Sequence, residues 1–205
     1  VDTDLSASFT GACSYSAFTD YMGDCGTGNT LGKGGNGLTA TGSYEFDSGF
    51  SLAAGVSSTA DGDDQAANKV GIMTDEGTDS VGLNAAYTTD SWSLAAAYIH
   101  DDGAKEDGTS SWGINGTYVF DESNLPTLSA GYETQATAGT DTSGYFFGLT
   151  WPEVGPGSLS VGAATKGNFA DTATEYMIYE ASYSYPVNDG LTVTPGVFIE
   201  ETAGD

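Results

Sequence analysis

The sequence predicts an all-β protein, an antiparallel up-and-down barrel that crosses a membrane on its strands. Three observations carry that expectation. Bulky apolar residues alternate with small polar ones along nearly the whole chain, the pattern of strands with one oily and one wet face. The connections between these segments alternate between short and long. Aromatic residues gather at both ends of the oily faces, where lipid-facing strands would meet the two membrane interfaces.

The segments follow in order. Val1, Thr3, Leu5, Ala7 and Phe9 form the first. Leu38, Ala40, Gly42, Tyr44 and Phe46 alternate with Thr39, Thr41, Ser43 and Glu45. Phe50, Leu52, Ala54 and Val56 alternate with Ser51, Ala53, Gly55 and Ser57, and Val81, Leu83, Ala85 and Tyr87 with Gly82, Asn84 and Ala86. Next, Trp92, Leu94, Ala96 and Tyr98 oppose Ser91, Ser93, Ala95 and Ala97. Trp112, Ile114, Gly116, Tyr118 and Phe120 oppose Gly113, Asn115, Thr117 and Val119. Shorter runs centre on Leu128 to Tyr132, Tyr145 to Trp151 and Leu159 to Ala163, and the last two on Met177 to Tyr185 and Leu191 to Ile199. Together they make about eleven strands of roughly ten residues, a length that spans a bilayer when tilted.

Connections at 46–50, 89–91, 121–126, 152–157 and 186–190 are short and rich in Gly, Pro, Asp and Ser, residues that suit tight turns. Between them lie longer stretches at 12–36, 58–79, 101–110, 134–142 and 166–174. Strict alternation places every second connection at the same end of a meander. Phe46, Phe50, Tyr87, Trp92, Phe120, Trp151 and Tyr185 sit beside the short turns; Tyr98, Trp112, Tyr132, Tyr145 and Met177 sit near the long ones. The apolar face of each strand carries no charge, which favours lipid over a soluble core on that side.

Composition excludes several functions. The chain of 205 residues has four Lys+Arg against 29 Asp+Glu, so it offers phosphates no cationic surface and nucleic-acid binding is excluded. The four cations are Lys33, Lys69, Lys105 and Lys166, all in proposed loops. No run of about 20 apolar residues suggests a transmembrane helix. The opening Val1-Asp2-Thr3-Asp4 lacks the basic start of a signal peptide, so the chain reads as processed or as a piece of something longer. Cys13 and Cys25 have the wrong spacing for zinc, and either form a local disulfide worth roughly 2–3 kcal/mol or remain thiols. His100, the single His, precedes Asp101 and Asp102; a His-acid pair with a Ser nucleophile is conceivable, but a polar residue at a loop junction is the plainer reading. No phosphate-binding glycine loop, metal-spaced His and Cys set or nucleophile elbow occurs, so the chain is not expected to be an enzyme.

The segments S-V-G-L-N-A-A-Y-T-T-D-S-W-S-L-A-A-A-Y and Y-E-A-S-Y-S-Y-P-V-N-D-G-L-T-V-T-P-G-V-F resemble the cyanobacterial outer-membrane porins, grouped with the carbohydrate-selective, OprB-like porins. The resemblance runs from about Leu38 to the end. It implies a porin-like barrel of about sixteen strands, of which about eleven are present here as a single barrel domain or fragment over 1–205. It also implies residence in the outer membrane of a Gram-negative bacterium, a cyanobacterium, in contact with lipid and lipopolysaccharide, with a homotrimer as the candidate assembly. The short turns would then be periplasmic, and 12–36 and 58–79 long extracellular loops.

With Trp92 and its row facing lipid, Glu45, Asn84, Asn115, Thr117, Glu133, Glu180, Thr192, Thr194 and Glu200 would line the pore. That wall is small, hydroxylated and acidic, which favours cations over anions. Asp61, Asp63, Asp64, Asp75 and Glu76 would mark a loop that either folds inward as a constriction or stays solvated outside. No cofactor is expected, although Asp61-Gly62-Asp63-Asp64 offers carboxylates and carbonyls to a loosely held Ca²⁺. Inward aromatics for stacking sugars are few: Phe146, Tyr176 and Phe198. Passive diffusion of small hydrophilic solutes and cations is therefore the leading expectation. A secreted acidic β-sheet adhesin or surface-layer protein is the alternative, and it predicts the opposite solvent for Trp92, Leu94 and Tyr98.

Overall fold

The computed structural model describes residues 39–59, 78–102, 108–122, 124–137, 139–165, 169–170 and 174–202. They form β1 (Thr39–Glu45), β2 (Phe50–Thr59), β3 (Thr78–Thr88), β4 (Trp92–Asp101), β5 (Thr109–Tyr118) and β6 (Thr127–Thr137). The chain continues with β7 (Thr140–Val154), β8 (Gly157–Thr165), β9 (Phe169–Ala170), β10 (Met177–Asn188), β11 (Leu191–Val193) and β12 (Gly196–Glu200). All twelve belong to one sheet, in the order β1-β2-β3-β4-β5-β6-β7-β8-β10-β11, with β12 also on β10 and β9 on β7. Every pairing is antiparallel, so the described residues make an all-β, up-and-down meander. The predicted segment from Val1 to Phe9 lies outside the described residues, as does Leu38; each later segment contains a strand.

The short turns have local chemical causes. In the β1–β2 turn the Phe46 N–H donates to the Phe50 carbonyl at 2.8 Å and the Gly49 N–H to the Phe46 carbonyl at 3.0 Å. Gly49 sits at φ +84°, and a Cβ there would overlap the Thr88 carbonyl of the next hairpin. Glycine is the residue this turn admits. Between β3 and β4 the Thr89 hydroxyl accepts N–H bonds from Ser91 at 3.3 Å and Trp92 at 3.0 Å. It closes the reversal with its own side chain.

Four connections differ from expectation, one being the loop expected at 166–174, which holds β9, paired to β7 at Thr142↔Ala170 and Ser143↔Phe169. The long stretch expected at 134–142 is instead a tight hairpin, with pairing running out to Thr137↔Thr140. Its Thr-rich arms are β-formers, and Gly139 at φ +81° turns the corner. The turn expected at 152–157 shrinks to 155–156, because β7 continues past Pro152 with a register shift after Trp151. The last predicted segment divides into β11 and β12 around Pro195, which lacks the N–H a ladder requires.

β2 to β8 and β10 each span 9–15 residues. At about 3.3 Å per residue and a tilt near 40°, even the nine-residue β8 covers most of a band about 25 Å tall. Burial along β4 alternates strictly, and its buried face holds Ala95, Ala97, Ile99 and Asp101 rather than the aromatic row.

Candidate functional site

The two faces of the sheet differ as the alternation predicts, with the usual sidedness reversed. Trp92, Leu94 and Tyr98 are 40–47 % exposed. Leu52, Leu83, Ile114, Tyr132, Phe147, Tyr179, Val197 and Ile199 share that outer face and are exposed as well. A soluble protein rarely displays so continuous an apolar surface. Rings pair along it at two levels. Near the short turns, Tyr44 meets Phe46 at 4.7 Å, Tyr87 meets Trp92 at 5.3 Å and Tyr118 meets Phe120 at 4.8 Å. Near the other end Trp112 meets Tyr132 at 5.6 Å. Two aromatic belts with aliphatic residues between them form the lipid-facing band of a membrane barrel.

The inner face is built in rows by strand register. Ala95, Asn115, Gly131, Phe146, Ala164, Ile178 and Glu200 are cross-strand neighbours in turn. The next row carries Thr117, Ser129, Gly148, Gly162, Glu180 and Phe198. On the other side of the first, Glu133 lies between Gly113 and Gly144. Glycines beside the large inward residues give them room. A Cβ at Gly131 would collide with the Phe146 ring, so Phe146 lies flat across that strand.

Eight of the nine predicted wall residues fall on the inner side of the strand alternation, in different surroundings, and Thr194 lies between β11 and β12. Glu45, Thr192 and Thr194 are exposed, and Asn84, Asn115, Thr117 and Glu200 are half-buried. Glu133 and Glu180 are buried, at 0 and 6 % exposure. An apolar cluster of Ala97, Ile99, Phe146, Ala164 and Ile178, with Phe198 packed on it, occupies the same face. Of the three inward aromatics expected, Phe146 and Phe198 join this cluster, while Tyr176 precedes β10. Hydroxyl pairs tie the wall across strands: Ser93 to Thr117 at 2.7 Å and Thr150 to Ser160 at 3.2 Å.

One inner carboxylate escaped the sequence reading. Asp101 is buried on the inner face and accepts a hydrogen bond from the Ser80 hydroxyl. The signal was its parity with Ser93, Ala95 and Ala97; the strand simply runs three residues past Tyr98. His100 points the other way, outward, with Nδ1 at 2.8 Å from the Ser110 hydroxyl. His100 and Asp101, adjacent in sequence, thus point to opposite faces of the strand.

The electrostatics of this wall follow from composition. Among the described residues there is no Lys or Arg, because Lys33, Lys69, Lys105 and Lys166 all lie outside them. Glu45, Asp101, Glu133, Glu180 and Glu200 are the carboxylates that the strand alternation places on the inner face. Asp61, Asp63, Asp64, Asp75 and Glu76, with the Ca²⁺ stretch among them, and Cys13 and Cys25 also lie outside the described residues.

A meander with an apolar exterior, two aromatic belts and an inner face of small, polar and acidic residues around one apolar cluster is the architecture of an outer-membrane barrel. The chain belongs to the Gram-negative porin family, whose model matches residues 2–199. A solved porin structure, refined at 1.8 Å, is similar in fold, with a TM-score of 0.61 at 18 % identity. The match covers 80 % of this chain and 56 % of that one, so the chain spans little more than half the length of that porin. No curated protein matches.

Proposed function

We propose that the chain is the pore-forming part of an outer-membrane porin through which small hydrophilic solutes and ions diffuse passively, cations ahead of anions. The observation that carries this reading is the reversed sidedness of β4, with Trp92, Leu94 and Tyr98 outward and the Ser93 and Asp101 face inward. Membership of the Gram-negative porin family supports it. Cation preference is supported by inner-face carboxylates such as Glu45 and by the chain's excess of 29 Asp+Glu over four Lys+Arg. The resemblance to cyanobacterial, carbohydrate-selective porins adds a proposed source. Sugar selectivity gains little, because Phe146 is buried in a cluster rather than offered to a solute. A homotrimer, surrounded by lipid and lipopolysaccharide, is the proposed assembly.

The exposed apolar belt weighs against the secreted adhesin, which would present it to water. Planar bilayers under a KCl gradient test the proposal. A conductance with a reversal potential on the potassium side is expected, and it should weaken as salt rises because the carboxylate field is screened. Anion preference would overturn the selectivity claim, and absence of conductance the porin reading itself.

A further inference from the structure

At the short-turn end of β7, β8 and β10 the strand ladders slip twice, on either side of β8. On β7, Pro152 and Glu153 stand opposite Ser158 alone, between the pairs Trp151↔Leu159 and Val154↔Gly157. Across β8, β10 slips between Pro186 and Asn188 against β11. Such bulges bend the strand and re-aim side chains. Here Pro152, Glu153 and Pro186 from the bulges, with Ser158, Ser184 and Thr192, line a pocket of about 300 Å³. That volume is enough for a small molecule.

The pocket is braced from behind. The Tyr183 hydroxyl donates to the Val154 carbonyl at 2.7 Å, which ties the residue after Glu153 to β10. A Cβ at Gly157 would overlap the Ser184 carbonyl and the Tyr183 ring, so glycine lets the β7–β8 turn press against β10. Ser158 and Ser184 are register partners, and the next pairs of the same parity are Ser160↔Ser182 and Gly162↔Glu180. That parity puts the pocket on the inner face, about 13 Å along the strands from Glu180.

Its chemistry is one-sided. Glu153 brings a carboxylate and three hydroxyls bring lone pairs, while the described lining holds no basic or amide side chain. Proline has no N–H to donate, so Pro152 and Pro186 add apolar wall without donors. One carboxylate is few for Ca²⁺, which collects about six to eight oxygens. An alkyl group ending in a primary ammonium fits better: its three N–H donors match the carboxylate and hydroxyls, and its carbons match the prolines.

We propose that this pocket binds a small organic ammonium ion, with its nitrogen at Glu153 and the hydroxyls and its alkyl part against Pro152 and Pro186. The inference rests on the porin reading for its place at the mouth of the pore, and it deepens that reading by naming primary ammonium solutes as a class the wall captures.

The test titrates n-butylammonium into the full chain folded in a non-ionic detergent and follows broadening of the ligand's proton NMR signals. Saturable binding is expected, and Glu153→Gln should weaken it about tenfold through loss of the charged partner. Thr192→Val keeps the volume and should weaken it about threefold through one lost hydrogen bond. It decides the matter if Glu153→Gln does not fold. Glu122→Gln removes an exposed acid from the β5–β6 turn at the same end and should change nothing. Tetramethylammonium, which has the charge but no N–H, should bind about tenfold more weakly than n-butylammonium. The proposal is overturned if wild type shows no saturable binding, if Glu153→Gln and Glu122→Gln weaken it equally, or if tetramethylammonium binds as well. Planar-bilayer conductance separates the two claims: a wild type that conducts potassium but holds no n-butylammonium removes the pocket alone. A wild type that binds n-butylammonium and does not conduct removes the porin reading and leaves the binding site standing.

Discussion

Ile114→Arg places a guanidinium where lipid and water make opposite demands. Ile114 is on the outer face of β5 and 40 % exposed, between Trp112 in one aromatic belt and Tyr118 in the other. The midpoint of that interval is residue 115, so Ile114 sits within about 3.4 Å of it along the strand. In a membrane barrel this is near the bilayer midplane, where Arg on the lipid face costs about 2–4 kcal/mol, falling to about 0–1 kcal/mol at the interfaces. Tyr118→Arg, in the belt, provides the shallow comparison. If the same face met water, both changes would stay within about 0.5 kcal/mol of zero, as surface substitutions usually do. Urea titrations of the chain in lipid vesicles, followed by Trp fluorescence, measure the two differences. An Ile114→Arg cost equal to that of Tyr118→Arg, or no cost at either position, would refute the reasoning.

Other perturbations probe the wall and its turns. Gly131→Val drives a side chain into the Phe146 ring and should cost about 1–3 kcal/mol in the same titration, with part recovered by adding Phe146→Leu. Gly49→Ala meets both a positive φ and the Thr88 carbonyl, so a loss of more than about 1 kcal/mol is expected; a neutral result would remove the turn assignment. Glu45→Gln with Glu200→Gln removes two inner-face charges, and the reversal potential under a salt gradient should move toward zero while conductance persists.

Most of the meander was legible because a period of two leaves little freedom: Trp92, Leu94 and Tyr98 cannot share a face with Ser93 and Ala95. The direction of each face was legible too, because an uncharged aromatic row and an acidic chain leave lipid as the fitting neighbour. Local turn chemistry was harder to read. Thr134 to Thr142 looked like a loop because it is polar, yet threonine pairs well on a ladder and a single Gly139 reverses the chain. Burial was harder still. Glu133 and Glu180 have the parity expected of a wall, but a period of two assigns a face and not a depth, and they are 0 and 6 % exposed.

Single-cysteine labelling along β4 and β5 tests the reversed sidedness most directly. Starting from a chain with Cys13 and Cys25 changed to Ser, nitroxides are placed at Leu94→Cys, Ala96→Cys and Ile114→Cys, and at Ser93→Cys, Asn115→Cys and Thr117→Cys. In bilayers, the first three should collide with oxygen dissolved in lipid and the second three with a water-soluble nickel chelate. The opposite partition, or equal access of the chelate to both sets, would contradict the account.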